Sequence, residues 1–147
     1  MKTRYDYNGS QSTAKIEGQR KVIQGIGVDI IEIQRIQSSI EKFGDTFLRK
    51  IFTDAEIAYC RSRKNPAQHF AARFAAKEAV SKALATGWSG EFEWKNVEVM
   101  NELSGKPSVI LHGVTARALE KSTVYLSLSH SDASVVAFAV IEVALSK

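Results

Sequence analysis

The chain has 147 residues, of which 44% are hydrophobic and 24% charged, and a formal net charge of +4. This composition is typical of one globular domain with a sizeable core, and no apolar run approaches the roughly 20 residues that span a bilayer. A single cysteine, Cys60, excludes an intrachain disulfide, and we expect a packing role for it in a cytoplasmic protein. The basic charge fits either an acidic partner or an ordinary solvated surface.

The N-terminal third begins with a polar segment and then becomes apolar. Residues 1–21 show no periodicity, so we expect a flexible extension followed by a single domain, residues 22–147. Val22 to Ile30 reads as a first strand. An amphipathic helix follows it, because apolar residues recur at three- and four-residue spacing: Ile33, Ile36, Ile40, Phe43 and Phe47. Gly44 makes one continuous helix through that stretch doubtful.

Two further helices are predicted from their start signals. Thr53 and Glu56 form a capping box, so a short helix should run to about Arg63. Asn65 and Pro66 then begin a long helix that should reach about Ala85 and stop at Gly87. Its many alanines allow close approach of neighbouring elements, so we expect this helix to be central and buried.

The C-terminal half alternates between turn signals and β-branched segments. We expect strands over Phe92–Met100 and Ser108–Leu111, a helix over Val114–Glu120, and a final hairpin of Thr123–Ser129 with Ser134–Val143. The predicted fold is therefore α+β, with an antiparallel sheet, a long central helix and shorter helices packed on it.

Two carboxylates lie in segments that otherwise look buried. Asp29 interrupts an apolar strand, where it is either the cap of the next helix or a metal ligand. Glu78 shares a helix face with Lys82, which fits either a surface salt bridge or a functional site. Arg73 and Lys77 form a similar pair beside them. Because unpaired buried charge is costly, Asp29 and Glu78 together suggest a divalent cation and a phosphate-bearing ligand.

The histidines give a weaker signal. His130 ends an alternating strand, where a structural role is more common than a functional one, while His69 and His112 look like surface or packing residues. Neither their spacing nor one cysteine predicts zinc. Ligation by two carboxylates, water and phosphate fits Mg²⁺ better.

Four segments together resemble the holo-acyl-carrier-protein synthases, the small bacterial phosphopantetheinyl transferases. They are Gly25-Ile-Gly-Val-Asp-Ile-Ile-Glu-Ile-Gln-Arg-Ile36, Arg73-Phe-Ala-Ala-Lys-Glu-Ala-Val-Ser-Lys-Ala83, the Gly105-Lys106-Pro107 turn and Leu126-Ser-Leu-Ser-His130. The second segment is the most specific one, and the resemblance covers about residues 22–145. It implies a phosphopantetheinyl transferase-like fold.

The resemblance implies a reaction and a set of site residues. Coenzyme A donates its 4′-phosphopantetheine arm to a serine of apo acyl carrier protein in fatty acid biosynthesis, releasing adenosine 3′,5′-bisphosphate. Asp29 and Glu78 would bind Mg²⁺ and, with Lys82, form the catalytic set. The residues that would contact the donor are Lys82 and His130, followed by Lys77, Arg73 and Lys106.

The resemblance also implies partners. Because acyl carrier proteins are strongly acidic, the helix carrying Arg35, Lys42 and Arg49 would dock the carrier. The family is typically homotrimeric with sites between protomers, so Asp29 and Glu78 would meet His130 of a neighbour. Neither nucleic acid nor a membrane is expected as a partner. Two rival functions remain open: a Mg²⁺-dependent hydrolase of nucleotide-like diphosphates, and a non-catalytic module that binds acidic proteins.

Overall fold

The structure is a computed structural model that describes residues 20–84 and 92–145. Five strands, four α-helices and one 3₁₀ turn occur in the described residues: β1 (Lys21–Glu32), α1 (Ile33–Ile51), α2 (Asp54–Arg61), α3 (Pro66–Leu84), the 3₁₀ turn (Trp94–Asn96), β2 (Val97–Asn101), β3 (Pro107–Leu111), α4 (Gly113–Ala118), β4 (Ser122–His130) and β5 (Ser134–Ala144). Their arrangement confirms the predicted α+β class. None of these helices has the length and apolar character needed to cross a membrane.

The main sheet is antiparallel, with strand order β1-β5-β4, and β2 and β3 form a separate antiparallel pair. Strands β4 and β5 form the predicted hairpin. Successive side chains alternate between the two faces of a sheet. The inner face of β5 is fully buried at Ala137, Ala139 and Ile141, whereas Phe138 on the outer face is exposed.

Strand β1 is longer than predicted, and this decides one reading of Asp29. The strand continues to Glu32, and Glu32 occupies the N-cap position of α1. Asp29 is paired with Ala137 inside the sheet. The interpretation of Asp29 as a helix cap is therefore wrong, and its carboxylate needs another explanation.

Helix α1 is interrupted where the sequence suggested. Gly44 has φ +52° and ψ −136°, so the helical segments on its two sides meet at a kink. A positive φ of this kind favours glycine because it has no Cβ. The buried side chains Ile36, Leu48 and Ile51 hold both segments against the core.

Helix α2 begins with the predicted capping box and ends at Arg61, two residues earlier than expected. The Thr53 hydroxyl accepts a hydrogen bond from the Glu56 amide at 3.2 Å, and the Glu56 carboxylate accepts one from the Thr53 amide at 2.8 Å. The Glu56 side chain is also buried, which the capping pattern alone does not predict.

Helix α3 begins at Pro66 as predicted and is described to Leu84, while the expected end near Ala85 and Gly87 lies outside the described residues. The helix packs on the main sheet through alanines that are essentially inaccessible to solvent: Ala71, Ala75, Ala76, Ala79 and Ala83. Small side chains let the helix and the sheet approach closely. This confirms α3 as the central buried helix.

The segment before the second sheet differs from prediction. Instead of one strand over Phe92–Met100, a 3₁₀ turn at Trp94–Asn96 precedes β2. The aromatic residues responsible for the strand signal pack on each other and on α3, since the Trp94 ring lies 5.5 Å from the Phe92 ring and stacks on Phe74 of α3 at 5.1 Å. The proposed division into an extension, residues 1–21, and a domain, 22–147, stays a prediction because residues 1–19 lie outside the described part.

Candidate active site

The site is built where β1 crosses α3, and a glycine allows the crossing. A Cβ added to Gly27 would overlap the Ala79 carbonyl oxygen and lie 2.7 Å from the Ala83 amide nitrogen. Because side chains two apart in a strand share a face, Asp29 also points toward α3. The close approach therefore brings the Asp29 carboxylate beside the residues that flank Ala79 on the helix.

Lys82 binds Asp29 directly. Its Nζ donates hydrogen bonds to Asp29 Oδ1 at 2.8 Å and to the Val28 carbonyl oxygen at 3.0 Å. The hydrogen bond to Asp29 raises the pKa of Lys82, so the lysine is charged at neutral pH. The Asp29 side chain is 15% exposed, while that of Lys82 is 52% exposed. The pair is therefore accessible to a ligand.

Glu78 faces the same place from α3. Partial burial raises the pKa of Glu78, the charge of Asp29 raises it further, and Lys82 opposes the shift. A carboxylate whose ionisation is disfavoured by burial and by a second carboxylate is a feature of functional sites, where a bound cation can balance the two charges. The structure thus brings together Asp29, Glu78 and Lys82 as predicted.

These carboxylates line a cleft of about 290 Å³ between β1, α1 and α3. Its polar side is formed by Asp29, Glu78, Arg35 and Ser39. Its apolar side is formed by five residues: Ile30, Ile31, Ile36, Phe47 and Phe74. The cleft can accept a ligand that combines charged and apolar groups. Of the three basic residues predicted on α1, Arg35 lines this cleft.

Lys42 and Arg49 lie elsewhere on α1. Lys42 Nζ is 5.1 Å from the centroid of the Phe43 ring, and Arg49 is 3.8 Å from Asp54 in an exposed ion pair. Both are exposed, and Arg49 follows the kink at Gly44. The three residues therefore form a basic surface along the helix rather than a single cluster.

Lys77 is placed in the interior. Its Nζ lies 2.9 Å from Glu56 Oε2 and donates to the carbonyl oxygens of Trp94 at 2.9 Å and Val97 at 2.5 Å. Its side chain is 0% exposed. Burial lowers the pKa of Lys77, and Glu56 opposes that shift. The ammonium has three protein acceptors and no open side, so the expected contact of Lys77 with the donor has no support in this geometry.

Arg73 is buried but borders a second cleft of about 260 Å³. One guanidinium nitrogen donates to Asn101 Oδ1 at 2.9 Å, and the guanidinium stacks over the Tyr59 ring at 4.1 Å. Its Nε has no acceptor among the described residues.

The neighbouring Cys60 is buried, and burial raises the pKa of its thiol to about 12, which confirms a packing role.

The second cleft also contains His130, with Gly105 and Pro107 of the turn that carries Lys106. Lys106 itself is exposed beside the cleft and does not line it. His69, which we interpreted as a surface or packing residue, lines the same cleft. Its position at the start of a helix gave no signal, because only the folded chain brings α3 next to the end of β4.

Asp29 and Glu78 do not by themselves complete a metal site among the described residues. Within residues 20–84 and 92–145, no three His, Cys, Asp or Glu side chains cluster closely enough to hold a metal ion by themselves. Two carboxylates with a bound diphosphate and water would complete an oxygen-rich site of the type that Mg²⁺ prefers. The donor set at Asp29 and Glu78 therefore fits Mg²⁺.

Solved structures of the same fold include enzymes with bound ligands. The holo-[acyl-carrier-protein] synthase of Neisseria meningitidis superimposes with a TM-score of 0.75 at 36% identity, covering 82% of this chain and 98% of that one. A holo-(acyl-carrier-protein) synthase from Bacillus anthracis, in complex with CoA (3′,5′-ADP), gives a TM-score of 0.68 at 40% identity, covering 83% and 98%.

The sequence comparisons agree. The model of the 4′-phosphopantetheinyl transferase superfamily matches residues 25–139. The holo-[acyl-carrier-protein] synthase of Solibacter usitatus is 46% identical over 124 residues, which is 82% of this chain and 99% of the relative. That of Protochlamydia amoebophila is 48% identical over 116 residues, 79% and 95% of the two chains. This chain therefore belongs to the holo-[acyl-carrier-protein] synthases of the 4′-phosphopantetheinyl transferase superfamily.

Proposed function

We propose that this protein transfers the 4′-phosphopantetheine arm of coenzyme A to a serine hydroxyl of an apo acyl carrier protein in fatty acid biosynthesis. The other product is adenosine 3′,5′-bisphosphate. The observation that carries the proposal is the cleft in which Asp29 and Glu78 face Arg35, with Lys82 bonded to Asp29. The printed names of the relatives support it, as does the coenzyme A complex of the relative from Bacillus anthracis.

We propose Asp29 and Glu78 as ligands of Mg²⁺, with diphosphate oxygens and water filling its other positions. The raised pKa of Glu78 supports this, because it reflects burial beside a second carboxylate that a cation would compensate. When bound, Mg²⁺ would supply charge neutralisation at the diphosphate of coenzyme A.

The catalytic residues act on the proton and on the leaving group. The serine Oγ attacks the phosphorus that bears the pantetheine arm, an Oγ–P bond forms, and the P–O bond to the adenosine bisphosphate breaks. Asp29 accepts the serine proton, directly or through a water molecule. Lys82 Nζ, already charged beside Asp29, balances the negative charge that develops on the leaving phosphate.

The second cleft is proposed to hold another part of the donor. Arg73 and His130 line it, and Lys106 stands beside it on an exposed turn, so these side chains together favour a phosphate. Lys77 is left out of this set because its ammonium is enclosed by Glu56 and two carbonyl oxygens.

Helix α1 is proposed as the docking surface for the acidic carrier protein. Arg35 lines the catalytic cleft, and Lys42 and Arg49 extend the positive charge along the helix. An acidic carrier bound along this surface would place its serine at the mouth of the cleft. Opposite charges of this kind steer association and set its salt dependence.

We further propose a homotrimer with the donor bound between protomers. The outer face of the main sheet is apolar but uncovered by the described residues, with Ile30 67% and Phe138 43% exposed and Ile26, Val28 and Tyr125 beside them. A contiguous apolar patch on a sheet is typical of a protein interface. Because Ile30 and His130 border one surface cleft, packing on this face would bring His130 close to a neighbouring catalytic cleft.

Light scattering tests the assembly. Phe138→Asp should shift the protein from trimer to monomer, because it buries a charge in the proposed interface. Val114→Asp, at an exposed apolar position on α4 rather than on the main sheet, is the matched control and should remain a trimer. A monomeric wild-type protein would contradict the assembly.

Mass spectrometry tests the reaction. Apo acyl carrier protein incubated with coenzyme A, Mg²⁺ and this protein should gain the mass of one phosphopantetheine group. Release of adenosine 3′,5′-bisphosphate without carrier protein would instead favour a hydrolase. Carrier binding that is salt-sensitive but independent of Mg²⁺ and Glu78, without any mass gain, would favour a non-catalytic module.

We place the reaction in the cytoplasm, consistent with the buried free thiol of Cys60. Neither nucleic acid nor a membrane is needed for it.

A further inference from the structure

The second cleft contains an imidazole that the proposed reaction does not use. His69 lies in the first turn of α3 and lines the cleft together with Arg73 and His130. Its ring packs edge-on against Tyr59, with centroids 5.8 Å apart and an interplanar angle of 77°. This contact holds the His69 ring at the wall of the cleft.

The groups that act electrostatically on His69 are all basic: Arg73, Arg63 and His130. The guanidinium groups of Arg73 and of Arg63, which lies just beyond α2, are each 4.1 Å from the centroid of the Tyr59 ring. His130 approaches from β4. None of the described residues that line this cleft is Asp or Glu. A cleft that contains basic groups and no carboxylate from the described residues favours an anion.

The same surroundings favour the neutral form of His69. Burial lowers the pKa of His69, and the charges of Arg73, Arg63 and His130 lower it further. A neutral imidazole donates from one ring nitrogen and accepts at the other, whereas the imidazolium donates from both. An anion placed among these groups would favour the imidazolium, which reverses the effect of the neighbouring positive charges.

We propose that His69 is a further donor-binding residue, which takes a proton from solvent when a phosphate group of coenzyme A enters the second cleft and then donates a hydrogen bond to that phosphate. The inference rests on the proposed function, because it assumes coenzyme A as the ligand. The affinity for coenzyme A would then depend on pH through the protonation of His69.

Phosphate binding and protonation of His69 favour each other. The pKa of His69 is below its ordinary value in the empty cleft and higher with phosphate bound, so binding takes up protons in the window between the two values. Coenzyme A should therefore bind more tightly as the pH falls through that window. The phosphate itself also titrates near this range, so the comparison with variants of His69 carries the test.

Isothermal titration calorimetry with coenzyme A and Mg²⁺ measures the linkage directly. Titrations at pH 6, 7 and 8, each in two buffers of different ionisation enthalpy, give both affinity and protons taken up. Between pH 8 and pH 6 we expect the wild-type affinity to gain about three- to tenfold relative to His69→Gln, with up to about one more proton taken up. His69→Phe, which keeps a ring against Tyr59, should behave like His69→Gln.

The control is His112→Gln, which removes an exposed histidine outside the cleft and should titrate like the wild type. Dephospho-coenzyme A identifies the phosphate: loss of the extra proton uptake assigns the 3′-phosphate to the cleft, and its retention assigns the diphosphate. Equal proton uptake by wild type and His69→Gln would overturn the inference while leaving the transferase proposal intact. Absence of coenzyme A binding by the wild type would overturn both.

Discussion

Helix α3 carries two lysine–carboxylate pairs, five residues apart, in opposite environments. Lys77 lies 2.9 Å from Glu56, and both side chains are inaccessible, at 0% and 1% exposure. Lys82 lies 2.8 Å from Asp29 in the more open pair. The distances are nearly equal, so distance does not separate structural from functional pairs. Their surroundings do.

In the buried pair, the carboxylate and the ammonium have protein partners on all sides. Glu56 also accepts hydrogen bonds from the amides of Thr53 and Val99, so the pair joins α2, α3 and β2. In the exposed pair, solvent and ligands compete with the lysine for Asp29. A buried pair is costly to break, whereas an exposed pair contributes little stability and can exchange partners. The first therefore holds the scaffold and the second is available for chemistry.

Lys77→Met should cause the largest effect, because it leaves the Glu56 carboxylate buried without its cation. We expect a loss of about 3–5 kcal/mol in the free energy of unfolding, measured by chemical denaturation. The double variant Lys77→Met/Glu56→Gln removes both charges and should recover part of that loss. A loss below about 1 kcal/mol in the single variant would contradict the structural role of the pair.

Glu78→Gln should be the most damaging change to activity on the open side of the helix. It keeps the side-chain shape but removes one proposed ligand charge, so Mg²⁺ affinity should collapse and turnover fall by a factor on the order of 10³, while the fold persists. Transfer assays over a range of Mg²⁺ concentrations and circular dichroism measure these effects. The exposed carboxylate change Glu120→Gln is the control. Near-normal activity would remove Glu78 from the proposed ligands.

Lys82→Met provides the direct counterpart of Lys77→Met. Because Lys82 is exposed, we expect a change in the free energy of unfolding within about 1 kcal/mol. Transfer activity should fall about a hundredfold, since the leaving phosphate loses its counter-charge. Denaturation and kinetic assays on both methionine variants measure these effects. A Lys82→Met protein less stable than Lys77→Met would contradict the assignment of Lys77 to the scaffold and Lys82 to the reaction.

Arg35→Glu should give the smallest of these effects and should act on one substrate. We expect the KM for the carrier protein to rise about tenfold, with coenzyme A affinity nearly unchanged, because the carrier is acidic. The difference should shrink at high salt. Lys121→Glu, the same charge change at an exposed lysine outside α1, is the matched control. Equal damage to both substrates would contradict docking on α1.

Local signals in the sequence determined most of the elements and part of the site. The Thr53 capping box, the Gly44 interruption, the Pro66 helix start and the β4–β5 hairpin all depend on residues close in the chain, so their patterns sufficed. Glu78 and Lys82 were grouped correctly because residues four apart share a helix face. The strand predicted over the aromatic segment near Trp94 was wrong, because aromatic residues that pack on a helix have the same composition as a strand.

Which of the charged side chains of α3 are buried depends on contacts between distant parts of the chain. Residues 77 and 82 are separated by about 140° around a helix, so they face different neighbours, but no local pattern states that Glu56 covers one of them and Asp29 meets the other. The same reason explains His69, whose cleft is formed by residues from α2, α3, β4 and the turn before β3. The order of residues along the chain supplies the chemical groups of the site. Long-range packing, through the close contact at Gly27 and the buried pair at Lys77, decided which of them meet.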